Sequence, residues 1–161
     1  MRWRTSWLVM SLLCALSATS SVTAATDSPQ AAPRWPVLES LHGKVVLVDF
    51  WASWCAPCLR SFPWMNDLQQ KLGDDGLVVV AVNVDQDREL ADAFLKKVPV
   101  QFRIEYDQAG DLAKQFGVEN MPTSFLIDRT GQVRARHSGF RDKQREEREQ
   151  QIVQLLKEHT P

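Results

Sequence analysis

Cys55 and Cys58, two cysteines separated by two residues, are the side chains of this sequence best suited to chemistry. The short spacer lets their sulfurs come within bonding distance, so the pair can alternate between a dithiol and a disulfide. A structural cross-link is not expected, because a loop of so few residues barely restricts the unfolded chain. Two ordinary buried cysteines are the alternative. A zinc site is disfavoured, since it normally needs four ligands and the other soft candidates are His42, His137 and His159.

The cysteine pair falls where a predicted strand gives way to a predicted helix. Residues 44–51 form a short, β-branched and nearly continuous apolar run, typical of a strand buried on both faces of a sheet. Residues 59–72 carry apolar side chains at helical spacing. The free N–H groups and the dipole of a helix N-terminus stabilise a thiolate, so we expect Cys55 to attack and Cys58 to be shielded. Pro57 would lie in the first turn, where its missing N–H costs little.

Further elements follow from the apolar pattern. A second buried run at 77–84 completes a β-α-β unit with the first strand and helix. Asp87 is expected to cap a helix. One face of that helix is predicted to carry Leu90, Ala93, Phe94 and Lys97. The remaining predicted elements are a strand at 102–106, a short helix at 111–116, and an antiparallel hairpin of 123–128 and 133–137.

The last helix is predicted to begin near Arg141. Its run of charged residues up to Glu149 is interpreted as a solvated face. Two ion pairs four residues apart are expected on it, namely Lys143 with Glu147 and Arg145 with Glu149. The buried stripe of this helix is predicted to consist of Ile152, Leu155 and Leu156.

Composition narrows the class of protein. The chain has 161 residues, of which 44% are hydrophobic and 24% charged, values typical of one soluble globular domain. The formal net charge is only −1, so no electrostatic surface for nucleic acid is predicted. We therefore expect a monomer that does not bind nucleic acid.

The first 24 residues show the order of a secretory signal peptide. Arg2 and Arg4 precede an apolar run, and small residues follow as far as Ala24, after which we place cleavage. A linker over 25–36 and a folded domain over 37–161 are then expected. An uncleaved anchor is disfavoured, because a helix of about ten residues spans only about 15 Å of a hydrocarbon core about 30 Å thick. The expected location is the periplasm.

A resemblance to a known superfamily now emerges from the motifs. The segment VDFWASWCAPC, residues 48–58, resembles the active-site segment of the thioredoxin superfamily, and Met121-Pro122-Thr123 resembles its cis-proline loop. The layout is similar to the TlpA/ResA/CcmG-like branch of exported thiol-disulfide reductases, whose helix-strand insertion would be residues 87–106. This resemblance implies an α/β thioredoxin fold, with a central mixed β-sheet flanked by helices and that insertion.

The resemblance also implies roles for individual residues. The Met121-Pro122 bond should be cis and face the cysteine pair, and both residues, with Trp54, should contact substrate. Asp49 is an acid within an apolar strand, where burial costs several kcal/mol unless the carboxyl is paired or protonated. It matches the buried acid that takes the proton of the second cysteine; the alternative is a strand-end Asp bonded to backbone N–H groups. Members of the branch commonly carry a Glu where this chain has Ser61, which leaves Asp49 as the acid of this segment.

Together these features predict an exported thiol-disulfide oxidoreductase that reduces protein disulfides. Cys55 would form a mixed disulfide with the substrate and Cys58 would resolve it. The expected partners are disulfide-containing client proteins and a membrane thiol relay of the DsbD or CcdA type that donates electrons, with no bound cofactor. The alternatives are a disulfide oxidase or isomerase, and a protein that carries copper on the two thiolates.

Overall fold

A mixed sheet of six strands organises the protein in the computed structural model, which describes residues 30–158. The strands are β1 Gln30–Ala31, β2 Val45–Trp51, β3 Leu77–Asn83, β4 Arg103–Tyr106, β5 Thr123–Ile127 and β6 Gln132–Ser138. Their order across the sheet is β1-β6-β5-β2-β3-β4. β2, β3 and β4 run parallel, whereas β5 is antiparallel to β2 and to β6. The predicted signal peptide, its predicted cleavage site and His159 lie outside the described residues.

Helices cover both faces of this sheet. They are α1 Pro36–Ser40, α2 Ala56–Leu72, α3 Arg88–Lys97, α4 Asp111–Gln115 and α5 Arg145–Lys157, with a 3-10 turn at Asp142–Gln144 before the last. The strand-to-helix order predicted from the sequence is confirmed, as is the α/β class. α2 continues through Pro63, and Gly73 caps its C-terminus. Within residues 30–158, no helix is both long and apolar enough to cross a membrane.

β2 lies inside the sheet between β5 and β3, and all seven of its residues are buried. Successive side chains of a strand point to opposite faces. Val45, Leu47 and Trp51 therefore pack into one apolar cluster, which also holds residues of α2, α3 and α5. Val46, Val48 and Phe50 pack into a second cluster on the other face, beneath α1 and α4. Asp49 shares the parity of the first set, so its side chain lies on the α2 side.

The predicted insertion is present as α3 and β4, and aromatic rings fix it to the core. Phe94 of α3 packs on Trp51 and on Phe62 of α2, with ring centroids 4.8 and 5.1 Å apart. The expected inward face of α3 is wrong by about one position. Leu90 is 51% exposed and Ala93 is also exposed, whereas Ala91 is buried beside Phe94. Asp87 caps the helix as predicted, by accepting a hydrogen bond from the Glu89 N–H at 2.9 Å.

The structure departs from the sequence analysis at both ends of the domain. The expected linker over 25–36 is wrong for Gln30 and Ala31, which pair with β6 at the sheet edge. The short helix α1 was not predicted. In α5 the charged run is not wholly solvated, because Arg148 is buried. Neither expected ion pair forms within the described part of the chain; Arg145 instead pairs with Asp142, and Glu149 with Lys71.

Candidate active site

The two cysteines form a disulfide at the N-terminus of α2. The S–S distance is 2.12 Å and the two Cα atoms are 5.3 Å apart. Cys55 is the N-cap residue of the helix, and its sulfur accepts a hydrogen bond from the Cys58 N–H at 3.3 Å. Pro57 lies in the first turn, as the sequence indicates. A helix N-terminus carries free N–H groups and partial positive charge, so this position stabilises a thiolate at Cys55.

The two sulfur positions differ in their access to solvent. Cys55 retains 3% of its surface, whereas Cys58 is completely buried at the start of the helix. A nucleophile from outside can therefore reach Cys55 more readily than Cys58. Ser61, which stands where relatives of the branch carry a Glu, is also buried and donates its hydroxyl to the Cys58 carbonyl at 3.1 Å. It caps a backbone oxygen and supplies no acid to the site.

Asp49 lies beneath α2 on the central strand. It is 2% exposed, and its Oδ2 has no hydrogen-bond partner among the described residues. Burial raises the pKa of Asp49 from 3.8 to about 7, although the Ser124 hydroxyl and the Arg148 charge both act to lower it. A carboxyl group that titrates near neutral pH can accept and release a proton under physiological conditions. This is the chemical property that the sequence analysis assigned to Asp49.

The loop between β2 and α2 is fixed by a buried acid that sequence reasoning missed. Asp85, just after β3, accepts hydrogen bonds from the Ser53 N–H at 2.8 Å and the Ser53 hydroxyl at 3.0 Å. The side-chain amide of Asn83 donates to the same carboxylate at 2.7 Å. These bonds hold the residue two positions before Cys55. Asp85 could have been identified from the sequence, because it directly follows a buried strand. The C-terminal ends of parallel strands meet at one edge of the sheet, where sites form.

The other predicted site residues lie in the segments that lead into β5 and α2. The Met121-Pro122 peptide bond is cis, as predicted, and precedes β5. Met121 packs against the apolar cluster that contains both cysteines. Trp54 is 71% exposed directly before Cys55, and Leu59, one turn into α2, is exposed as well. Trp51, the last residue of β2, is fully buried.

The two histidines of the described residues lie in other parts of the fold. His42 is exposed after α1, and His137 is half-buried on β6. Within residues 30–158, no three His, Cys, Asp or Glu side chains are grouped so that they could hold a metal ion. The site as a whole contains a redox-active sulfur pair, a buried acid on the same side of the sheet whose pKa is about 7, and exposed apolar side chains near the attacking cysteine.

Comparison with known proteins places this geometry in a family context. The Redoxin family model matches residues 20–154. A thiol-disulfide oxidoreductase ResA from Bacillus thuringiensis subsp. konkukian is 34% identical over 124 residues, which cover 77% of this chain and 68% of that protein. A crystal structure assigned as thiol:disulfide interchange protein DsbE from Chlorobium tepidum is 45% identical with a TM-score of 0.78, covering 81% of this chain and 98% of that one. A solution structure assigned as a protein disulfide isomerase from Bacteroides thetaiotaomicron is 29% identical with a TM-score of 0.69, covering 75% and 79%.

Proposed function

The chain belongs to the Redoxin family, and from this premise we propose that it is an exported reductase of protein disulfides. It is a ResA/CcmG-like member of the thioredoxin superfamily and a thiol-disulfide oxidoreductase. The observation that carries the proposal is the Cys55–Cys58 bond at the N-terminus of α2, with Cys55 as the more accessible sulfur. The direction of electron flow, the clients and the place of action are the proposed parts.

The reaction begins with the reduced protein. The Cys55 thiolate attacks one sulfur of a client disulfide, forms a mixed disulfide and releases one client thiolate. Cys58 then gives its proton to Asp49 and attacks the Cys55 sulfur. This second step breaks the mixed disulfide, releases the other client thiolate and leaves the Cys55–Cys58 bond. The client gains two electrons and the protein loses two.

Two features of the sulfur environment act on the direction of electron flow in opposite senses, and the buried Asp49 is the one that supports reduction of clients. A reduced pair is favoured when its thiolates are stabilised, which makes the corresponding disulfide a stronger oxidant. The helix N-terminus acts in that sense at Cys55. The negative charge of Asp49 acts in the opposite sense, because it disfavours a second negative charge at Cys58. A buried acid on the same side of the sheet therefore makes the dithiol a better electron donor.

Export and the partners follow from the same proposal. The pattern of residues 1–24 supports delivery to the periplasm, where we place the mature protein. Client proteins would dock on the exposed Trp54 beside Cys55 and on Leu59, one turn into α2, since aromatic side chains are enriched at protein interfaces. After each turnover the disulfide must be reduced again, so a membrane thiol relay of the DsbD or CcdA type is the proposed electron donor.

The proposal is tested by insulin reduction with the chemically reduced protein. Wild-type protein should cleave the interchain disulfides and precipitate the B chain, whereas Cys55→Ala should show no activity above the background of the added reductant. Faster oxidation of reduced ribonuclease than reduction of insulin would favour a disulfide oxidase or isomerase instead. Purification with stoichiometric copper and no insulin reduction would favour a metal carrier.

A further inference from the structure

Arg148 is a buried arginine on the helix that covers the Asp49 side of the sheet. It is only 4% exposed. Ile152 and Leu155, four and seven residues later on α5, belong to the same apolar cluster as the cysteines. Residues at this spacing share one face of a helix. Arg148 therefore points into the protein with them, and burial lowers its pKa from the ordinary arginine value.

The guanidinium of Arg148 has no close carboxylate partner. No ion pair within 4.0 Å in the described part of the chain includes Arg148. One Nη donates to the Gly139 carbonyl at 2.9 Å and to the Gln144 side-chain oxygen at 3.5 Å, and the guanidinium lies 5.7 Å from the centre of the Phe140 ring. Two neutral oxygens and an aromatic ring compensate only part of the cost of burying a charge, which amounts to several kcal/mol per ion. The position of this cation therefore calls for a functional reason.

A row of polar side chains crosses the sheet beneath α5. Asp49 of β2 lies directly opposite Ser124 of β5, and Ser124 lies directly opposite His137 of β6. Opposed residues of antiparallel strands share a face, with Cβ atoms about 4.5–5.5 Å apart. Arg148 is close enough to this row to lower the pKa of Asp49 and that of His137.

We propose that Arg148 is a positioning residue for the disulfide chemistry: it supplies, from α5, the positive charge that keeps the Asp49 carboxylate ionised and available to take the Cys58 proton. The inference rests on the proposed role of Asp49 as that base. When Asp49 is ionised, the two buried charges offset each other across the sheet-helix interface. When Asp49 is protonated, Arg148 loses its buried countercharge and keeps only the exposed Glu147, so the pair favours the form of Asp49 that accepts a proton.

Among the described residues, Arg148 is the charged group that lowers the pKa of Asp49. Ser124 of β5 lies opposite Asp49 and is hydrogen-bonded to it, His137 of β6 continues the same row, and Arg148 acts on Asp49 from α5. Cys58 of α2 belongs to the apolar cluster on this face of the sheet. Burial and the Arg148 charge lower the pKa of His137 from its ordinary value, so its ring is largely uncharged where Asp49 titrates. Glu147 is exposed and acts on Arg148 and His137. Arg148 is therefore the cation that acts on Asp49.

The first test is the titration of the Asp49 carboxyl carbon by NMR in the oxidised full-length protein, with Asp49→Asn identifying the signal. We expect a midpoint near pH 7 in the wild type. Arg148→Gln should raise it by about one pH unit or more, the size of effect that an opposite charge has on a carboxyl group, and Arg148→Lys should restore most of it. Arg145→Gln, one turn earlier on the same helix, should leave it unchanged. An unchanged midpoint in Arg148→Gln, or an equal rise in Arg145→Gln, would overturn the proposal.

The second test asks whether this charge matters for the chemistry. The reduced protein is oxidised with glutathione disulfide between pH 6 and 9, so that no client protein is needed. At pH 7, Arg148→Gln should be about fivefold slower than the wild type, because a midpoint raised by one pH unit leaves about one fifth of Asp49 ionised relative to the wild type. The difference should nearly vanish at pH 9, and in the Asp49→Asn background the substitution should have no effect.

The oxidation assay also has an outcome that contradicts the proposal. If Arg148→Gln raises the titration midpoint of Asp49 but leaves the pH dependence of the oxidation rate unchanged, the positioning role is overturned. If Arg148→Gln does not fold, Arg148→Met serves in its place, because an apolar side chain of similar length is often tolerated where a buried ion was. Neither assay uses insulin. Failure of insulin reduction by the wild type would therefore count against the proposed reductase direction and not against the link between Arg148 and Asp49.

Discussion

Asp49 and Cys58 are both buried, and burial disfavours the ionised form of a carboxyl group. It raises the pKa of Asp49 to about 7, and Cys58 has no exposed surface in the disulfide form. A carboxylate whose pKa is raised in this way is a stronger base than an ordinary aspartate, so it takes a thiol proton at a smaller cost in free energy. This explains how a buried carboxyl group serves as the proposed base for a resolving cysteine.

Replacement of Asp49 by Asn should change the pH dependence of stability. The folded-state pKa of about 7 lies above the ordinary value of 3.8, so ionisation of Asp49 costs the folded protein stability as pH rises from about 4 through 7. One pKa unit is worth about 1.4 kcal/mol, which gives a cost of up to about 4 kcal/mol above pH 7. Urea denaturation of oxidised Asp49→Asn and wild type should show a difference in unfolding free energy that grows by several kcal/mol, in favour of Asn, between pH 4.5 and 8. A constant difference would mean that Asp49 does not titrate in this range.

Replacement of each cysteine should separate attack from resolution. Cys58→Ala keeps the attacking sulfur and removes the resolving one, so it should accumulate mixed disulfides with client proteins in cells. Cys55→Ala, the matched control, should not. Non-reducing electrophoresis of acid-quenched extracts measures both. Accumulation in Cys55→Ala but not in Cys58→Ala would reverse the two roles.

Some site residues could be predicted from the sequence and others could not. The spacing of Cys55 and Cys58, and an acid in an apolar strand at Asp49, are local signals. Asp85 and Arg148 carry no such signal, because their importance depends on which residues the fold brings to them. Arg148 lies within a run of charged residues that resembles a solvated helix face, and only the packing of α5 shows that it points inward.

At the level of elements, the insertion of α3 and β4 supports the end of β2. Phe94 reaches Trp51 and Phe62 with ring centroids about 5 Å apart, so the helix braces the strand that leads into the active-site loop. The sequence predicted where α3 begins, because Asp87 is a strong N-cap. It did not predict which side of the helix faces inward, because the apolar stripe of α3 is short. The buried residues of α3 are Ala91 and Phe94.

Two substitutions on α3 test this packing. Phe94→Ala should lower the free energy of unfolding by about 3–5 kcal/mol, the usual cost of removing a buried aromatic ring. Leu90→Ala, on the exposed side of the same helix, should change it by less than about 0.5 kcal/mol. Chemical denaturation of the two oxidised variants gives both values. Equal losses at the two positions would show that α3 does not brace β2 through Phe94.

At the scale of the whole molecule, buried runs and edge elements differ in how well the sequence specifies them. β2 and β3 are continuous apolar segments buried from both sides, so their sequences alone predict strands. β1 has two residues, both exposed, and forms only because β6 offers it an unpaired edge. Short edge strands of this kind depend on the neighbour and carry no pattern of their own. Asp49 lies within β2, the disulfide follows the C-terminal end of β2, and Asp85 follows the C-terminal end of the neighbouring parallel strand β3. The sheet therefore fixes the positions of these three groups relative to one another.

The central claim is that the protein donates electrons to client disulfides in the periplasm. It is tested most directly by trapping free thiols in intact cells that express the full chain, with acid quenching followed by alkylation with a reagent that shifts electrophoretic mobility. A reductase supplied by a membrane thiol relay should be found mainly as the dithiol, and should shift to the disulfide when the relay is removed. A protein found mainly as the Cys55–Cys58 disulfide in cells with the relay intact would contradict the claim and identify an oxidase.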